Sequence, residues 1–185
     1  MLTGGADGAA SAEMAESLRH VVREVEAHVA ASGWDQPARL YALVPTSELL
    51  EAEPALAAAL GLDAASAAGT LTPIEQEDVA ADRSLEQMLS SIMWPPQVYG
   101  CAAVVERVVL PPEAEAHVPT DSEELARFAA EHPGRHEVRM AAAVTRDGRA
   151  HCAVRLRDHD NDADVIDSSD LVPTLVQLLS DTLAE

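Results

Sequence analysis

Asp158, Asp160, Asp162 and Asp164 alternate along the run Asp158-His159-Asp160-Asn161-Asp162-Ala163-Asp164-Val165-Ile166-Asp167. Carboxylates at alternate positions of a curled loop are the ligand set that a hard cation such as calcium or magnesium takes. The calcium-loop pattern also requires glycine at its sixth position and glutamate at its twelfth. Counted from Asp158 these positions hold Ala163 and Ser169, and counted from Asp160 they hold Val165 and Leu171, so both registers fail twice. The aspartates are therefore weak metal candidates, and the plainer expectation is no cofactor and a solvated acidic loop partly paired with Arg155 and Arg157. The alternative is a divalent-metal-assisted enzyme on an anionic substrate, which would need a basic clamp beside the metal.

Such a clamp is available next to the loop. Arg139, His151, Arg155 and Arg157 lie in the segment Val138 to Arg157, which turns at Arg146-Asp147-Gly148-Arg149. A two-residue turn at Asp147-Gly148 would pair Val144 with His151 and mix Arg155 and Arg157 with Val138 and Met140 on one face. A three-residue turn with Gly148 in the left-handed conformation pairs Val144 with Ala150, Ala142 with Cys152, Met140 with Val154 and Val138 with Leu156, all apolar. Register follows the hydrophobic pattern, because a slip of one residue turns a whole strand over. The three-residue turn is the one expected. It puts Arg139 directly opposite Arg155, which is unfavourable by up to about 1 kcal/mol unless something anionic lies between. A carboxylate from a nearby helix is the ordinary solution; a bound anion or an acidic partner is the functional one, and these four residues are its candidates.

The elements that must position these groups are readable in outline. Residues 1–12 read as a flexible tail. Met14, Leu18, Val21, Val22, Val25 and Val29 form one helical stripe, with Glu16, Arg19, Arg23, Glu24 and Glu26 elsewhere on the surface, and Gly33 ends the helix. A short strand over 39–44 stops at Pro45, and a helix from Thr46 or Ser47 continues toward Leu60 with a restart at Pro54. Thr72-Pro73-Ile74-Glu75 reads equally as a helix start or an extended segment. Ser84 and Gln87 open a helix running to Met93, and Thr120 and Glu123 open another running to His132. Val98 to Leu110 is the strongest strand, apolar on both faces and so expected to be central in a sheet covered on both sides. A last helix begins near Ser169 or Asp170. Its apolar arc is wider than one core face requires, which suggests deep burial or a homodimer surface. The order predicts an α+β fold: a mainly antiparallel sheet of about four strands packed with about five helices, as a single domain over 13–185.

Composition removes several classes. The chain has 185 residues, enough for one domain that buries roughly 70% of its unfolded surface without disulfides. It carries 12 basic residues, all arginine, against 32 acidic ones, for a net charge of −20. That field repels phosphate backbones and anionic membrane surfaces, so no nucleic acid and no membrane are the expected partners. No apolar run reaches the ~20 residues of a membrane span, and the first residues lack a signal-peptide pattern, so a cytoplasmic location is expected. Cys101 and Cys152 lack metal-site spacing and read as buried thiols. His20, His28, His117, His132 and His136 are scattered. There is no P-loop, dinucleotide fingerprint, nucleophile elbow or zinc-protease motif.

Several stretches together carry a family pattern: Leu43-Val44-Pro45-Thr46-Ser47-Glu48-Leu49-Leu50, Leu71-Thr72-Pro73-Ile74-Glu75-Gln76-Glu77, Trp94-Pro95-Pro96-Gln97-Val98-Tyr99-Gly100-Cys101-Ala102, Glu106-Arg107-Val108-Val109-Leu110-Pro111-Pro112-Glu113-Ala114-Glu115, and Arg155-Leu156-Arg157-Asp158-His159-Asp160. With these the chain resembles a family of uncharacterised actinobacterial proteins. The resemblance covers nearly all of the chain beyond its first dozen residues. It implies a single bacterial cytoplasmic domain and supplies no catalytic residue. The missing catalytic constellation favours a non-catalytic binding or accessory protein with an unknown protein or small-molecule partner.

Overall fold

The computed structural model describes residues 5–77 and 83–184. Its elements are α1 (Gly5–Ala30), β1 (Arg39–Pro45), α2 (Thr46–Ala52), α3 (Pro54–Ala59), β2 (Leu71–Glu75), α4 (Leu85–Leu89), β3 (Gly100–Val109), α5 (Ser122–Glu131), β4 (His136–Thr145), β5 (Ala150–Leu156), β6 (Ile166–Ser168) and α6 (Pro173–Leu183). Short 3₁₀ turns follow β3 and β5. The strands form one sheet in the order β2-β1-β3-β4-β5-β6, and every neighbouring pair is antiparallel. The fold is α+β with an antiparallel sheet, but of six strands rather than about four. Among the described residues no helix is long and apolar enough to cross a membrane.

The strands beyond the expected four are the two edges. β2 is the segment that reads equally as a helix start. Pairing with β1 and the hydrogen bond between the hydroxyls of Thr46 and Thr72 hold it extended. Its Pro73 fits an edge, where one side of the strand needs no ladder donor. β6 is only three residues long and sits inside the acidic run, too short to show a period. Both edges are blunted, β2 by proline and β6 by brevity and the inward charge of Asp167.

The two apolar faces of β3 have the predicted cause. Ala102 and Val104 pack under α1, and Cys101, Ala103 and Val105 pack under α4 and α6. Alanines at 102, 103, 141, 142, 143 and 153 are all fully buried, so small side chains let helices approach the sheet closely from both sides. α1 is longer than its stripe suggested. It starts at Gly5, so 5–12 of the stretch read as a tail are helical, while 1–4 lie outside the described residues. Ser84 and Gln87 form the expected capping box of α4, which ends at Leu89 rather than Met93. α5 is capped by Asp121, whose carboxylate accepts from Glu123 N and Glu124 N, not by Thr120.

The hairpin has the register that the apolar pattern requires. Val144 pairs with Ala150, Ala142 with Cys152, Met140 with Val154, Val138 with Leu156, and Arg139 with Arg155. Gly148 adopts φ +83°, the left-handed conformation the three-residue turn demands. The arginines are thereby placed on the face covered by α1.

Candidate functional site

Arg139, Arg155 and Glu26 are 0%, 3% and 1% exposed, so a face that alternation alone leaves open is closed. Glu26 enters from α1. Its position follows from helical phase: it stands one turn beyond Val22 and two beyond Leu18, inside the stripe rather than on the surface. Its Oε1 accepts from Arg155 Nε at 2.6 Å and its Oε2 from Arg155 Nη2 at 2.9 Å, a bidentate pair. The same Oε1 stands 3.5 Å from Arg139 Nη1. One carboxylate thus occupies the gap between two opposed guanidinium groups, which is the ordinary solution to the expected repulsion.

The periphery completes the neutralisation. Arg139 Nη2 donates to Glu106 at 2.9 Å and to the Gly33 carbonyl at 2.6 Å. Its Nε and Nη1 are buried without a hydrogen-bond acceptor. They are compensated by the charge of Glu26 and by the Trp34 ring, whose centroid lies 4.4 Å from the guanidinium carbon. Arg157, half-exposed, pairs with Asp35 and Glu137 and lies over the same indole. Its pKa is raised, chiefly by the hydrogen bonds it donates to Asp35.

Arg155 also draws in the acidic loop. Its Nη1 donates to Asp160 at 3.1 Å and its Nη2 to Asp162 at 2.7 Å. The arginine pKa is raised, mainly by the hydrogen bond to Glu26. Asp160 also accepts from Trp34 Nε1 at 2.9 Å, and that bond, then Arg155, holds its carboxyl below the usual range. Asp158 stands 3.7 Å from His136, and Asp164 accepts from Asn161. Asp160 and Asp162 therefore share Arg155, while Asp158 and Asp164 face other partners. Among the described residues no three His, Cys, Asp or Glu side chains converge as a metal site. The cavity of about 360 Å3 between α1 and this loop is lined by Arg23, Glu26, Arg155 and Asp162, each paired within the chain.

His151 belongs to a second cluster at the sheet edge. Its Nε2 lies 3.0 Å from Asp167 Oδ1, and Asp167 also accepts from Arg19 at 3.0 Å and Arg23 at 2.6 Å. These bonds, His151 first, lower the Asp167 pKa from 3.8 to about 2. A carboxyl whose folded pKa lies below its unfolded value adds stability above the unfolded value and loses it as pH falls toward the folded one. Wild-type chain is therefore expected to lose urea resistance more steeply between about pH 4 and pH 2 than Asp167→Asn, which has no such carboxyl to protonate. Parallel slopes in a pH series of urea midpoints contradict this.

The opposite face of the sheet is less completely closed. α6 lays Leu175, Leu179 and Leu183 on the sheet, with Val172, Val176 and Leu178 packed at the margins, so most of its broad apolar arc is used internally. Cys101 lies beneath it, and burial pushes its thiol up to about 12, while burial also raises Cys152. Two cavities run along α6. One of about 590 Å3 is lined by Leu89, Ile92, Met93, Trp94, Leu178 and Leu183 among others. The other, about 350 Å3, has Val105 and Met140 as floor and Leu85, Leu171, Val172 and Leu175 as walls. Glu86 and Leu178 line both, so the two adjoin. Met93 beside them is 93% exposed. Sequence reasoning missed this groove, because it depends on how far the short α4 leaves the sheet uncovered.

A family model described as PPA1309-like protein matches residues 18–184. No curated protein and no solved structure matches the chain.

Proposed function

The chain belongs to the PPA1309-like protein family, and we propose that it is a non-catalytic binding or accessory protein whose partner seats an apolar group in the groove along α6. The observation that carries this reading is the pair of adjoining cavities: the smaller, about 350 Å3, is lined mainly by aliphatic side chains, and the larger, about 590 Å3, sets Leu89, Ile92, Leu178 and Leu183 beside the polar rim of Glu86, Arg146 and Asp181. Volumes and linings of that kind suit an apolar ligand or the anchor residues of a protein. The arginine candidates Arg139 and Arg155 act within the chain instead, as the brace that docks α1. The reading needs no metal and no nucleic acid. The reading places the protein in the cytoplasm.

Capture from native lysate followed by mass spectrometry tests it. Thr174→Trp fills the smaller cavity from an exposed position, and Met93→Asp places a charge beside the larger one. Species retained by wild type are expected to be lost from both variants and kept by Arg157→Glu. Retention unchanged by both groove variants, or loss only with Arg157→Glu, contradicts the reading.

A further inference from the structure

α5 carries Leu125, Phe128 and Ala129 at helical spacing on one side, with Glu123, Glu124 and Glu131 elsewhere on its surface. A helix with such a stripe ordinarily buries it. Here Phe128 and Ala129 are only half-buried, Phe128 edge-on to the His132 ring, and Leu125 is exposed. The helix rests against β3, whose last pairing with β1 is at Val104. Val108 and Val109 at the end of β3, Val118 in the connection and Leu125 are 42%, 40%, 37% and 37% exposed. They are spread along the segment that runs from the end of β3 into α5; Val108 and Val109 point to opposite faces of the strand, and Val108 lines the recess beside Trp34.

The charge around this apolar region is one-sided. Glu113, Glu115, Asp121, Glu123, Glu124 and Glu131 make no ion pair among the described residues, against Arg127 and Arg135. Elsewhere the arginines are spent on carboxylates within the chain, as at Arg19, Arg23, Arg139, Arg155 and Arg157. About α5 only Asp121 is engaged, as the helix cap, and the glutamates are left exposed.

We infer that α5 and the adjoining end of β3 are a docking surface for a basic amphipathic segment of another protein. Apolar residues of the segment cover Val109, Leu125 and Phe128, and its lysines or arginines meet the surrounding glutamates. A second copy of the chain is a poor occupant, because it brings the same carboxylates against their equivalents. An anionic membrane is repelled for the same reason. The surface is separate from the α6 groove, and its occupancy does not depend on what fills that groove.

The test uses the full chain and three labelled peptides, read by fluorescence anisotropy at low and physiological salt. The first has leucines at i, i+3, i+4 and i+7 with lysines between; the second scrambles that sequence; the third replaces lysine by glutamate. The first is expected to bind roughly tenfold tighter than the second, with the third not binding. Leu125→Asp and, separately, Glu115→Lys/Glu131→Lys are each expected to weaken binding roughly tenfold. The charge variant guards against unfolding of α5 by Leu125→Asp, since lysine at the helix C-terminus favours the helix. Equal binding of ordered and scrambled peptides, or unchanged binding by both variants, overturns the inference. So does a dimer in sedimentation that Leu125→Asp dissociates.

Discussion

Glu26→Ala is expected to destabilise the chain by about 3–5 kcal/mol, the cost of removing one partner from a buried ion pair. Arg139 and Arg155 face each other across β4 and β5 and are sealed under α1. Without Glu26, Arg155 keeps only Asp160 and Asp162 at its outer edge, and Arg139 keeps Glu106. Two buried guanidinium groups then repel one another in a low-dielectric setting. The loss is expected as a lower urea midpoint and a melting temperature reduced by roughly 6–20 °C. Replacing the whole set, as Glu26→Leu with Arg139→Met and Arg155→Met, is expected to recover most of the stability, because apolar groups of similar volume often substitute for a buried ionic set. A single-variant loss below about 1 kcal/mol would show that water reaches the pair.

Gly100→Ala is expected to cost about 3 kcal/mol or more. A Cβ at Gly100 would overlap the carbonyl oxygen of Val144 and lie 3.2 Å from the Thr145 Cα, both backbone atoms. A side chain can rotate away from such a contact; the partner strand cannot. β3 and β4 would have to part at the Gly100–Thr145 pair, next to the hydrogen bonds of Tyr99 with Leu43 and Arg146. Gly8→Ala is the control. It lies in α1 with nothing within 4 Å of an added Cβ, and is expected to be neutral or to stabilise by about 0.5–1 kcal/mol. Equal urea midpoints for the two variants would contradict the close approach at Gly100.

Much of the site's frame was legible in the residues, and its key member was not. The apolar pairs around Gly148 set the hairpin register and thereby the Arg139–Arg155 opposition. The opposition in turn required an anion. What the linear pattern did not disclose is which carboxylate answers. Glu26 has the phase of Leu18 and Val22, and that spacing was the available signal; a charged residue in an apolar stripe is easily assigned to the solvent side. Trp34 and Glu106 come from the turn after α1 and the far part of β3, so their convergence on Arg139 is purely tertiary, as is the separate meeting of Asp167 on the edge strand with Arg19, Arg23 and His151. β2 and β6 escaped for a related reason. Thr72-Pro73-Ile74-Glu75 has the local chemistry of a helix start, and pairing with β1 overrides it. β6 is held by β5, not by any pattern of its own.

The central claim is that the junction of the arginines with the acidic loop is an internally neutralised brace rather than a ligand site. Calorimetric titration of the full chain with calcium, magnesium and inorganic phosphate tests it most directly. The expected result is no saturable heat and no thermal stabilisation beyond that of matched ionic strength. A saturable one-site heat that Asp160→Asn/Asp162→Asn abolishes would contradict it.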